Sequence, residues 1–166
     1  MRSLVVGTAA ASLLLAGCTL TADRDPLPDV TLVEFHGDQQ VELRSLEGPM
    51  LINFWATTCT TCREEMPLLE QFHQEHGDEV AVVGIDFQET QREDAVQLVE
   101  DTGVTYRLLL DELGDLNGAD PLPNFQALPL QVYVDEDGRV AYMGYDAFTS
   151  LGQIEAAVNE HLGTDL

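Results

Sequence analysis

The chain has no lysine: its seven basic residues are all arginine, set against 30 Asp plus Glu, for a formal net charge of −23 at pH 7. A field of that sign argues against nucleic acid or an anionic bilayer surface as a partner. It reads as a solvated acidic surface, and association with charged partners should depend on salt. Cysteine is scarce too, with Cys18, Cys59 and Cys62 the only three. A structural zinc site needs four ligands, and no second C-x-x-C or Cys/His pair accompanies Cys59-x-x-Cys62. His73 and His76 stand three apart but well past the cysteines, and they read as a solvated helix end. No metal is expected. No apolar run reaches the roughly 20 residues of a spanning helix, and no internal repeat is visible.

What is present starts with export. Residues 1–17 combine one early positive charge, a short apolar run and small residues, the pattern of a secretory signal peptide. Leu15-Ala16-Gly17-Cys18 looks like a bacterial lipobox, in which Cys18 is lipidated and becomes the mature N-terminus; the other reading is an ordinary signal with a chance cysteine. Residues 18–29 hold two prolines and little periodicity, and read as a lipidated tether. Residues 30–166 are one domain's worth of chain. Export puts the C-x-x-C pair outside the cytosol, facing a periplasm or the cell exterior, where something must set its redox state.

The chain is organised around residues 53–67. Met50-Leu-Ile-Asn-Phe-Trp55 is a strand buried on both faces. After the cysteines, Met66, Leu69 and Phe72 recur at the spacing of a core-facing helix stripe, with Glu64 and Glu65 expected in the first turn. Cys59 then falls at or just before a helix N-terminus, where unpaired N–H groups and the helix dipole stabilise a thiolate, the reactive form. Cys62, one turn later, is placed to resolve a mixed disulfide. A purely structural disulfide is the rival, although so small a loop removes little unfolded-chain entropy.

Downstream, residues 79–87 read as a second buried strand, Gln91 to Thr102 as a helix facing inward through Ala95, Leu98 and Val99, and Gly103 as its stop. Tyr106 to Leu110 is a third strand, and strands alternating with helices imply parallel pairing. Residues 114–127 are irregular. Residues 130–134 and 139–144 form an antiparallel hairpin, and Phe148 to Leu162 a closing helix. Val30 to Leu32 and Gln40 to Leu43 suggest a small added hairpin.

Phe54-Trp-Ala-x-x-Cys-x-x-Cys-Arg63, with Pro67 beyond it, resembles the thioredoxin superfamily, and Pro28-Asp-Val-Thr-Leu32, Val41-x-Leu43, Leu46-x-Gly48 and Arg63-x-Glu65-Met-Pro67 are similar to its extracytoplasmic TlpA/ResA/DsbE-like branch. The resemblance runs from about residue 26 to the C-terminus. It implies an α/β thioredoxin-like fold: a central mixed sheet flanked by helices, with an extra N-terminal hairpin. It also implies that Leu128-Pro129 is the family's cis-proline turn facing the cysteines, where Leu128 would pair with an extended substrate. A trans proline opening a strand is the alternative. Trp55, Thr58, Leu128 and Pro129 are the substrate-side residues on this reading. Three departures stand out: Thr58 replaces the usual aromatic, Thr60-Thr61 the common Gly-Pro, and Asn53 the buried aspartate of thioredoxins.

Glu89 follows the C-terminal end of a strand, the edge where open parallel sheets gather their sites. The branch carries an acid near this place, so Glu89 is read as handling protons for Cys62; an exposed loop or cap glutamate is the alternative. The expected activity is thiol-disulfide exchange without a cofactor: Cys59 attacks, Cys62 resolves. The nearest relatives mainly act as reductants, for example on apocytochrome c, so the reductive direction is expected, in a monomer with exported client proteins, an upstream membrane thiol reductant and a lipid anchor. Rival readings are a disulfide oxidant, a peroxide reductase, and a non-catalytic binding module on the same scaffold. A peroxidatic cysteine usually sits in a Thr-x-x-Cys frame, and Ala56 breaks it.

Overall fold

The computed structural model describes residues 24–166. The stretch read as a signal peptide, Cys18 and the first part of the stretch read as a tether lie outside the described residues. Those described form strands β1 (Thr31–Glu34), β2 (Gln40–Glu42), β3 (Met50–Trp55), β4 (Ala81–Phe87), β5 (Arg107–Asp111), β6 (Leu130–Val134) and β7 (Val140–Gly144). The helices are α1 (Thr60–His76), α2 (Arg92–Thr102) and α3 (Leu151–Leu162), with a short 3-10 turn at Leu43–Ser45.

All seven strands join one sheet in the order β2-β1-β5-β4-β3-β6-β7. β3, β4 and β5 are parallel, and their crossovers are α1 and α2. β6 runs antiparallel to β3, β7 to β6, and the β1–β2 hairpin adds to the far edge through β5. This is the expected thioredoxin-like architecture, with the added hairpin extending the same sheet.

Every residue of β3 is buried, which is why its sequence is a continuous apolar run instead of an alternation. Met50, Ile52 and Phe54 enter one core with Ile85, Leu109 and Val132; Leu51 and Trp55 enter the other, beneath α1, α2 and α3. Gly84 on β4 makes room for that second layer: a Cβ there would come within 2.5 Å of Leu108 and 3.1 Å of the Trp55 indole nitrogen.

Three local readings change in the folded chain. Residues 24–29 are fastened to the domain, since Pro26 bridges to Arg139, Val140 N–H donates to the Asp25 carbonyl and Leu27 is buried. The folded body therefore takes in residues ahead of the boundary read at 30. His73 and His76 are half-buried, not solvated; His76 Nε2 lies 3.0 Å from Glu155 Oε1 and ties α1 to α3, while His73 meets the Tyr106 ring edge-on. Because α1 starts at Thr60, Glu64 and Glu65 lie beyond its first turn, where none of the residues is acidic.

Candidate thiol-disulfide site

The C-terminal ends of β3 and β4 and the start of α1 build the site. Cys59 is the N-cap of α1 and is bonded to Cys62, with Cα atoms 5.3 Å apart. Cys62 N–H donates to Cys59 Sγ at 3.2 Å, so one of the helix's unpaired N–H groups already points at that sulfur. Cys59 is half-buried and Cys62 fully buried. The two sulfurs are thus unequal in access: only Cys59 can be reached from solvent.

Leu128–Pro129 is a cis peptide, as are Gly48–Pro49 and Asp120–Pro121. Beside the disulfide lies a groove of about 410 Å³ bordered by Ala56, Thr58, Gln88, Glu89, Phe125 and Leu128. The fold therefore brings Thr58, Glu89 and Leu128 to one concavity. Pro129 is buried behind Leu128. Trp55 has no exposed surface and packs in the same cluster as Cys62. The substrate contact read for Trp55 is not available to a client in this oxidised state; Trp55 supports the site from beneath.

Glu89 is held tightly. It accepts from Thr57 N–H at 3.0 Å, from the Thr57 hydroxyl, and from Gln91 N–H at 2.8 Å. Partial burial works to raise its pKa, but these hydrogen bonds to the charged form outweigh it and hold the carboxyl below the usual range. Glu89 is an anion that clamps the 56–58 turn. Gln88 beside it takes φ 54°, a left-handed conformation that non-glycine residues seldom adopt.

A second acid, given no role from the sequence, lies one turn past Cys62 on α1. Glu65 is fully buried on α1, three residues after Cys62 and so on the same helix face. Its Oε1 accepts from Asn53 Nδ2 at 2.7 Å and Gln131 Nε2 at 3.1 Å, and its Oε2 from Phe148 N–H at 3.2 Å. Burial is the dominant influence and pushes its pKa up to about 7, against the pull of those three donors. Asn53, which cannot itself carry a proton, instead orients a group that can. Asp86, paired in register with Trp55, is a further buried carboxyl pushed to about 7, first by burial and then by the charge of Glu89. Arg92 Nη1 lies 4.0 Å from it, while the Arg92 guanidinium sits over the Phe35 ring. No helix among the described residues is long and apolar enough to cross a membrane.

Comparison with known proteins gives the same picture. The chain is 35% identical over 112 residues to the thioredoxin-like protein YneN of Bacillus subtilis, covering 67% of this chain and 64% of that protein. It is 31% identical over 97 residues to the thiol:disulfide interchange protein DsbE of Pasteurella multocida, covering 57% and 51%. These matches span between about half and two thirds of the relatives' own length. The solution structure of a thioredoxin-like protein from Porphyromonas gingivalis superposes with a TM-score of 0.65 at 27% identity, over 82% of this chain and 92% of that one. Residues 24–143, which contain the disulfide, the parallel strands and the Leu128–Pro129 turn, match the AhpC/TSA family, and the chain belongs to that family of thioredoxin-like proteins.

Proposed function

We propose that the chain is a thiol-disulfide oxidoreductase acting on exported proteins outside the cytosol, held to a membrane by a lipid on Cys18 and working as a reductant. The observation that carries this reading is the Cys59–Cys62 disulfide, with one sulfur accessible at a helix N-terminus beside a groove and the other buried.

In the reduced protein, the N-terminus of α1 favours the Cys59 thiolate. That thiolate attacks a client disulfide, forming a mixed disulfide and releasing one client thiolate. Cys62 then attacks the Cys59 sulfur, which re-forms the intramolecular bond and releases the second client thiolate. Two electrons pass from the cysteine pair to the client, and a membrane thiol reductant upstream restores the pair. Cys62 must lose a proton before it attacks, and buried Glu65, one turn along the same face, is suited to accept it near neutral pH. Glu89, with its carboxylate tied to Thr57, is better suited to hold the 56–58 turn than to carry that proton. Thr58 and Leu128 border the groove where an extended client would lie, and an exported apocytochrome with a cysteine pair is a client of the right chemistry.

The test is the reduction potential of the Cys59/Cys62 pair, titrated against a thiol buffer. A value near thioredoxin's, roughly −270 mV, supports electron donation, and one near roughly −120 mV makes the protein an oxidant. Failure to reduce insulin at any potential would replace catalysis with binding.

A further inference from the structure

A second groove, of about 480 Å³, runs between β7, the 145–149 loop and α3. We propose that it is a docking site for a cationic side chain, a guanidinium or ammonium on an apolar stem, presented by a partner polypeptide. The cationic site stands on its own geometry; the polypeptide as its occupant rests on the proposed thiol exchange.

Its wall is aromatic and stiff. The Tyr142 and His161 rings stack with centroids 3.8 Å apart and 12° between their planes, and Tyr133 packs edge-on against His161 at 4.6 Å. Tyr142 nevertheless keeps 42% of its surface exposed. An aromatic ring fixed in this way and partly open to water suits a cation, which the ring quadrupole attracts.

Among the described residues its two carboxylates are unpaired, and His161 is the one basic residue in its lining. Asp146 and Glu160 line the groove, and neither side chain makes a hydrogen bond or ion pair among the described residues. No arginine lines it, and the chain has no lysine to supply the counter-charge. Gly144 lets the two kinds of group converge: a Cβ there would lie 2.8 Å from Asp146 Oδ2 and 2.9 Å from Tyr142 Cε1. The carboxylate and the ring edge therefore close on one point. Behind them, the fully buried Tyr133 hydroxyl has no hydrogen-bond partner among the described residues. Burial raises its pKa most, and the charges of Asp146, Tyr142, Glu65 and Glu160 add to that.

Position selects a polypeptide as occupant. Gly144 pairs with Gln131, whose side chain donates to Glu65 one turn past Cys62, so the groove opens at the same end of the sheet as Cys59–Cys62. From Gln153 to Glu160 it follows α3 for about 10 Å, long enough to take an extended arginine or lysine side chain.

The experiment is calorimetric titration of the folded protein with a short cysteine-free peptide carrying one central arginine, beside the same peptide with neutral citrulline. The arginine peptide should bind saturably and the citrulline peptide about tenfold more weakly or worse. Asp146→Asn with Glu160→Gln should cost about tenfold, and Tyr142→Leu several-fold, with circular dichroism unchanged. Glu93→Gln with Asp94→Asn removes the same charge from exposed positions on α2 and should change binding less than about twofold. Equal binding of both peptides, or an equal loss from the α2 pair, would overturn the site in favour of the diffuse acidic field. Binding of tetramethylammonium as tight as that of the peptide would overturn the polypeptide as occupant. Insulin reduction is read separately, so failure of the cationic site and failure of thiol exchange are distinguishable.

Discussion

The two faces of the sheet are built from the same strands yet carry different chemistry. One face is covered by irregular chain, with Leu27, Leu43, Leu116, Leu122 and Phe125 packed on Ile52, Ile85, Leu109 and Val132. Its interior is apolar apart from buried Asp111, which accepts from the Asp115 and Leu116 N–H groups, and the Phe54, Phe87 and Phe125 rings meet there at centroid separations of 4.7 to 6.2 Å. The other face is covered by three helices and holds the disulfide together with Asn53, Glu65, Gln131 and Asp86, these four all buried. Burying polar groups is costly unless they are paired, so the first face serves stability and the second accepts more of that cost, beside the disulfide.

Replacing either cysteine should break the contrast most completely. Cys59→Ser and Cys62→Ser should each abolish insulin reduction, but only Cys62→Ser, which leaves Cys59 accessible, should accumulate mixed disulfides with clients on a non-reducing gel. On the apolar face, Leu109→Ala should lower unfolding free energy by about 3–4 kcal/mol in urea while leaving the reduction potential unchanged. A shift in potential would mean that the faces are coupled.

Glu65→Gln probes the polar face through pH. The folded-state pKa of about 7 lies above the ordinary 4.5, so the folded protein holds this proton more tightly than the unfolded chain. Glu65's contribution is therefore intact below about pH 4.5 and lost progressively as pH rises towards 7, by on the order of 2–3 kcal/mol. The variant should flatten that part of the stability curve, and it should also move the pH profile of exchange. The smallest expected effect is that of Glu89→Gln. With its pKa held low, Glu89 stabilises above the usual carboxylate range, and that contribution is lost as pH falls through its lowered pKa. Removing the charge should cost about 1 kcal/mol at pH 7 and nothing in strong acid. An unshifted exchange profile in this variant would end the proton-handling role first read for Glu89.

Local signals were the legible ones. The strand at 50–55, the stripe through Met66, Leu69 and Phe72, and the stop at Gly103 each depend on neighbours within a turn or two, and the folded chain has them where periodicity puts them. Glu65 falls on the same stripe, three residues from Cys62 and four before Leu69, so its burial was readable from spacing; its charge argued the other way. What reverses that argument is long-range: Asn53 and Gln131, 78 residues apart, and the backbone of Phe148 supply its donors. The Tyr142–His161 stack likewise joins a strand to a helix that periodicity treats separately.

By itself, then, the sequence determined the alternation of strands and helices, the helix-capping position of Cys59 and the overall acidity, because hydrophobic period, cap position and composition are properties of short stretches or of the whole chain; the thioredoxin-like fold came from the resemblance of its motifs. Only the tertiary structure decided which acid is buried one turn past Cys62, that Trp55 supports the site from below, and where aromatic rings and free carboxylates converge. The pairing of buried polar groups is set by residues that meet only when the sheet closes, and no local pattern encodes it.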